Sequence, residues 1–157
     1  MTARDELGSK VQMRVALVSS VGGHLTELLQ LVRWLGEPDR FWVINDYSPV
    51  LPDGERAFRI AHGERDWRVA WNVLEVAAIF SRETPDIMIS AGAGLAVSAA
   101  IVARVAGIPV IYVEPSSAVT QLTMTGGLMR YLANRNYVQW DSLRAVAPWA
   151  IYRGGIL

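Results

Sequence analysis

The sequence predicts an α/β domain: an open parallel sheet with helices on both faces. Three observations carry that expectation. Short apolar runs alternate with stretches of helical periodicity, the pattern of strand–helix–strand units whose strands pair in parallel. The apolar runs are nearly continuous rather than alternating, as strands buried on both faces require. Glycine and proline stand at the boundaries of these runs and so act as punctuation.

Taken in order, Arg14–Ser19 reads as a buried strand that runs into Ser20-Val21-Gly22-Gly23-His24 and then a helix. On that helix Leu25, Leu28, Leu29, Val32 and Leu35 fall on one face, and Gly36 with Pro38 marks its end. Arg40–Ile44 is a second strand, Asn45–Glu55 a loop rich in Pro, Asp and Gly, and Ala57–Ala61 a third strand. Asp66 is placed to cap a helix from Trp67 to Arg82, with Ala70, Val73, Leu74, Ala77 and Phe80 turned inward. Asp86–Ser90 is a fourth strand, followed by the turn Ala91-Gly92-Ala93-Gly94 and a small-residue helix that stops at Gly107. Pro109–Val113 is a fifth strand. Gly126–Ala133 reads as helical, with Tyr137–Trp140 and Ile151–Tyr152 extended. Trp34, Trp67, Trp71, Trp140 and Trp149 are expected in core or interface positions rather than as stacking platforms.

A length of 157 residues suits one domain, assigned to 13–157, after a polar leader 1–12 expected to be disordered and ending before a start-like Met13. Apolar residues reach 52% and charged residues only 19%, against usual shares of about 45–50% and about 25%. Such a surface fits contact with a partner or a membrane. Lys+Arg and Asp+Glu are both 15, so no global basic field exists to hold nucleic acid. With no cysteine and only His24 and His62 as imidazoles, no disulfide, metal site or cofactor is read. The uncharged run Ile87–Ala103, resumed after Arg104 to Val113, imitates a membrane span. Ser90, Gly92, Gly94, Ser98, Gly107 and Pro109 break it where a buried strand–helix–strand unit needs its turns.

In an open parallel sheet, ligands bind beyond the carboxyl ends of the strands. Three loops occupy that edge: Ser19–His24, Ser90–Gly94 and Glu114–Ser117. Gly22 and Gly23 allow close approach of backbone to a diphosphate or sugar oxygen, and the helix that follows offers unpaired N–H groups. The same pair serves equally as a plain tight turn, and it is no G-x-G-x-x-G dinucleotide fingerprint. Asp46, near the end of the second strand, keeps a nicotinamide-binding reading open. His24, in the first helical turn, is either a general base for a sugar hydroxyl or a loop-bonding imidazole. Glu114, at the end of an apolar strand, either binds substrate or ties down its loop.

These residues resemble a family. Ser19-Ser20-Val21-Gly22-Gly23-His24-Leu25-Thr26-Glu27-Leu28 is similar to the opening motif of bacterial exopolysaccharide glucuronosyltransferase subunits, relatives of the membrane-anchor subunit of the eukaryotic enzyme that adds the second N-acetylglucosamine to dolichol-linked oligosaccharide. Ser90-Ala91-Gly92-Ala93-Gly94 resembles the family's Gly-rich turn. Ile111–Glu114, Leu122–Gly126 and Tyr137-Val138-Gln139-Trp140 resemble its longest signature. The Gly-Gly-His is shared with the peptidoglycan N-acetylglucosamine transferase. Departures are Pro115 where serine is usual, Ala118 where a basic residue is common, and Asn134 in place of Asp.

The resemblance implies the N-terminal-type half of a GT-B enzyme, a Rossmann-like domain, split across two chains. This chain would receive a polyprenyl-diphosphate-linked saccharide, at the cytoplasmic face of the inner membrane and peripherally attached. A separate donor-binding catalytic subunit would carry the UDP-sugar, with glucuronic acid the implied sugar. The chain would be a transferase subunit inactive without that partner, and its last residues, Gly154-Gly155-Ile156-Leu157, would cross toward it. His24 and Glu114 are the catalytic candidates. Ser20, Gly22, Gly23, Ser90, Gly92, Gly94, Ser116 and Thr125 are the substrate-binding candidates. Two other readings stand beside this one: a non-catalytic scaffold that recruits the catalytic subunit, and a free-standing nucleotide-binding regulator.

Overall fold

The computed structural model describes residues 12–47, 51–61 and 68–156. The expected leader falls almost wholly, and Asp66, Trp67 and His62 entirely, outside the described residues. Among these residues seven parallel strands form one sheet: β1 (Arg14–Ser19), β2 (Asp39–Asn45), β3 (Ala57–Ile60), β4 (Ile87–Ser90), β5 (Val110–Val113), β6 (Arg135–Val138) and β7 (Ile151–Tyr152). Among the described residues four α-helices lie between them, α1 (Gly23–Val32), α2 (Arg68–Glu83), α3 (Gly94–Val105) and α4 (Met124–Leu132), and a short 3-10 helix, Asp141–Ala145, joins β6 to β7. The strand order is β3-β2-β1-β4-β5-β6-β7. The chain therefore winds outward from β1 to one edge, returns through α2, and winds outward again from β4. The direction reverses between β1 and β4, where parallel sheets open a crevice at their carboxyl edge.

Alternation along each strand feeds two cores. Ala16, Val18, Phe41, Val43, Met88, Val110 and Tyr112 point to the face covered by α2, α3 and α4, where they meet Val76, Phe80, Leu95, Ala99 and Met129. Val15, Leu17, Trp42, Ile44 and Ile89 point to the other face, where they meet Leu25, Leu28 and Val32 of α1. Each such large side chain contributes about 1.5–3 kcal/mol when fully buried. The uncharged run after Ile87 is β4, α3 and β5, buried as a strand–helix–strand unit. Among the described residues no helix is long and apolar enough to cross a membrane.

Several boundaries and faces differ from the sequence reading. α1 ends at Val32 because Arg33, Trp34 and Leu35 donate to carbonyls three residues back, a tighter turn that carries Leu35 off the apolar stripe. On α2, Ala70 is exposed and Leu74 is 61% exposed. The helix packs on α3 as well as on the sheet, so its inward face centres on Val73, Val76 and Phe80. α4 starts two residues earlier than expected because Thr123 caps it, its hydroxyl accepting from Gly126 N at 2.9 Å. β6 starts at Arg135, set by its pairing to Ile111 of β5. Of the tryptophans expected in core or interface positions, Trp34, Trp71 and Trp140 are exposed, which rules out the core for these three.

Candidate active site

The loops after β1, β4 and β5 meet at the crevice between the two windings, because these strands are neighbours and parallel. The first loop turns through Gly22, whose φ of 88° and ψ of −145° exclude most L-residues, and then enters α1. Gly22 O caps the helix by accepting from Leu25 N at 3.1 Å and Thr26 N at 3.3 Å. Gly23 opens the helix with exposed backbone. A cleft of about 380 Å³ follows, lined by Gly23, His24, Thr26, Glu27, Pro115, Ser116 and Ser117.

His24 spans two of the three loops. Its Nδ1 lies 3.1 Å from Ala91 O. A carbonyl oxygen only accepts, so Nδ1 bears the proton in the neutral ring and Nε2 is left as the acceptor. The ring also rests on Gly92, where a Cβ would come within 3.0 Å of Nδ1. Gly92 has φ 125° and Ala93 φ 68°. A non-glycine residue in that region is strained backbone, held here where the turn enters α3. Gly94, exposed, begins α3.

Other predicted residues take supporting positions. Ser90 is fully buried and donates to Val18 O at 2.7 Å, which fixes β4 to β1 beneath the turn. Ser20 is 7% exposed at the end of β1. The Ser116 hydroxyl donates to Glu27 Oε1 at 2.6 Å, and Ser116 O accepts from Trp140 Nε1 at 2.6 Å. Thr125 lies in the first turn of α4, on the loop that closes the β5 side.

Glu114 is 1% exposed. Its Oε1 accepts from Thr123 N at 2.5 Å, and its Oε2 is buried with no protein donor. A Cβ added to Gly126 would stand 1.9 Å from Oε2. The carboxylate thus sits against the first turn of α4, where helix N–H groups and dipole favour negative charge. Burial, and then the charge of Glu114, push the neighbouring Tyr112 phenol up, so it stays protonated beside the carboxylate. Glu114, Thr123 and Gly126 are one packed unit, which gives the Glu-to-Thr-Gly motif a physical meaning.

Two buried polar residues beside the cleft, Glu27 and Gln139, 4% and 5% exposed, stand within the quoted motif blocks but are not among the predicted site residues. The available signal was an acidic residue set between Leu25 and Leu28 on the inward side of α1.

Comparison with known proteins follows the same outline. A family model described as oligosaccharide biosynthesis protein Alg14 like matches residues 67–156. The human UDP-N-acetylglucosamine transferase subunit ALG14 is 24% identical over 180 residues, covering 92% of this chain and 83% of its own. The mouse protein of the same name is 26% identical over 181 residues, with the same coverage. Among solved structures, Acinetobacter baumannii MurG superposes with a TM-score of 0.72 at 16% identity, over 83% of this chain and 42% of its own. A UDP-N-acetylglucosamine 2-epimerase from Rickettsia bellii gives 0.72 at 13%, over 92% and 45%. The chain thus spans less than half of either solved protein, and the likeness is one of fold. With the family model covering more than half of its length, this chain belongs to the Alg14-like family and carries a Rossmann-like unit of the GT-B glycosyltransferase fold.

Proposed function

We propose that this chain is the acceptor-side subunit of a two-chain glycosyltransferase, moving a sugar from a UDP-sugar to a polyprenyl-diphosphate-linked saccharide. The observation that carries the reading is His24: its Nδ1 is engaged by Ala91 O, it lines the cleft at the start of α1, and its Nε2 is the remaining acceptor. In this reading Nε2 takes the proton of the acceptor hydroxyl as that oxygen attacks the sugar's anomeric carbon and the nucleoside diphosphate leaves. The backbone N–H groups at Gly23 and Gly94, at the starts of α1 and α3, receive phosphate or sugar oxygens. Glu114 holds the β5–α4 loop and the first turn of α4 in place rather than taking the proton. Ser116 forms part of the cleft wall, Gly22 and Gly92 make the turns that lead into α1 and α3, buried Ser90 fixes the strand beneath, and Ser20 and Thr125 flank the site.

The donor-binding catalytic subunit would seat on the less covered face of the sheet. An apolar groove of about 550 Å³ lies there, lined by Leu31, Trp34, Ile111, Val113, Tyr137 and the 153–156 segment. Membrane contact in this proposal is peripheral, on the cytoplasmic side. Two donors compete. The motif resemblance points to glucuronic acid, whereas the names of the human and mouse relatives carry N-acetylglucosamine.

The test is transfer by this chain co-expressed with candidate donor-binding half-domains from the same genome, supplied with each UDP-sugar in turn. His24→Ala is expected to lower kcat about 10²–10⁴-fold with folding unchanged. Near-normal turnover would remove His24 from the mechanism. Turnover that survives loss of both His24 and Glu114, with partner binding retained, would instead support the scaffold reading.

A further inference from the structure

The proposed transfer step leaves a buried polar chain unused. Glu27, one turn beyond His24 on α1, accepts at both carboxylate oxygens. Oε1 receives Ser116 N at 3.0 Å and Ser116 Oγ at 2.6 Å; Oε2 receives Gln139 Nε2 at 2.8 Å. Gln139, just past β6, uses its second amide hydrogen on Glu114 O at 3.0 Å. Its Oε1 accepts from Ile156 N at 2.9 Å, in the segment that lines the apolar groove. Both side chains are at least nine-tenths buried. Every donor along the path meets an acceptor, with Glu27 Oε1 taking both Ser116 hydrogens.

That matching has a directional consequence. A carboxamide has one donor end and one acceptor end, and its orientation is set by what it faces. A carboxylate only accepts, and so does the Glu114 carbonyl, so the nitrogen of Gln139 must turn toward Glu27 and its oxygen toward Ile156. We propose that Glu27 is a positioning residue: it orients the Gln139 carboxamide and thereby ties the 153–156 segment to Ser116 in the cleft wall. The seating of that segment and the width of the cleft between α1 and Pro115–Ser117 are then one mechanical unit. This rests on the two-chain reading, since the segment lines the groove assigned to the partner. A docked subunit that presses on the segment would register at Ser116 and at the helix bearing His24.

Amide hydrogen exchange on the full chain tests the relay without any partner. Gln139→Leu is expected to speed exchange at Ile156 about tenfold, with Ser116 slowed or sped by less than about threefold and core amides such as Met88 unchanged. Glu27→Gln keeps the volume but cannot accept at both ends, so Ser116 or Ile156 must lose protection by about the same factor. Unchanged protection at both amides in Glu27→Gln, or at Ile156 in Gln139→Leu, overturns the proposal.

The two-chain assay supplies the functional arm. Gln139→Leu is expected to raise about tenfold the partner concentration giving half-maximal transfer, with kcat at saturating partner within about twofold of wild type. A kcat loss that saturating partner does not restore, at an unchanged partner requirement, also overturns it. An inactive wild-type pair would count against the transferase reading and leave the exchange result standing.

Discussion

The two faces of the sheet are covered unequally. On one, α2, α3 and α4 close over Phe41, Val43, Met88 and Tyr112, and the contact is continuous from β2 to β5. On the other, α1 covers β1 and β2, while Ile111, Val113 and Tyr137 line a groove whose walls also include Leu31, Trp34, Leu35, Ile89 and the 153–156 segment. The covered face is what the domain needs in order to fold. The groove is apolar surface that folding alone does not bury, and a surface of that kind is where a second chain gains the most by binding.

That contrast can be broken by mutation. On the covered face, Met129 is fully buried, and Met129→Ala is expected to cost about 2–5 kcal/mol in urea unfolding. Ile111→Ala, on the groove side, should cost about 1 kcal/mol in the isolated chain. Equal costs would erase the distinction.

A pair of adjacent glycines gives a sharper version. Gly126→Ala drives a methyl into Glu114 and is expected to cost about 1–3 kcal/mol. A Cβ at Gly127 meets nothing within 4 Å, so Gly127→Ala should stabilise by up to about 1 kcal/mol.

Trp34 is 83% exposed. Trp34→Ala should leave unfolding within about 0.5 kcal/mol of wild type, yet weaken capture of the donor-binding subunit in a pull-down titration. Unchanged capture would move the partner off this groove.

A comparably small effect is expected far from the site, on the β2–β3 edge. Arg40 donates to both Glu55 oxygens and Trp42 Nε1 donates to Oε2, and chiefly the Arg40 hydrogen bond holds the Glu55 carboxyl below its ordinary range. A depressed carboxyl contributes stability above its unfolded pKa and loses it as pH falls through the folded value. Arg40→Gln should therefore cost at most about 1 kcal/mol at neutral pH, and the gap to wild type should close on acidification. A gap that persists in acid would mean that Arg40 acts through packing instead.

The sheet and its helices were legible because buried parallel strands announce themselves as uninterrupted apolar runs, and the rim loops because Gly22–Gly23 and Gly92–Gly94 follow such runs directly. What was not legible is which inward-facing polar groups find each other. Glu27 and Gln139 stand 112 residues apart in sequence, and no local pattern reports their meeting. Leu74 shows a second limit: helical periodicity locates an apolar stripe, but packing against a neighbouring helix decides which side of that stripe faces inward. Glu114 shows a third, since its burial under α4 depends on a glycine twelve positions later, which sequence reading takes as a helix start without the close approach that only glycine allows there.

The central place of β1 has a consequence for how the chain reaches this state. One of its neighbours, β2, follows after a single short helix, but the other, β4, brings Ser90 to Val18 across 72 residues. Until that distant segment is made and docked, a hydrophobic strand in the middle of the future sheet presents a bare edge. Assembly must be dominated by long-range pairing, which is slow and leaves the nascent polypeptide open to intermolecular strand addition. Yield in a heterologous host should accordingly respond more to temperature and chaperone supply than to surface substitutions.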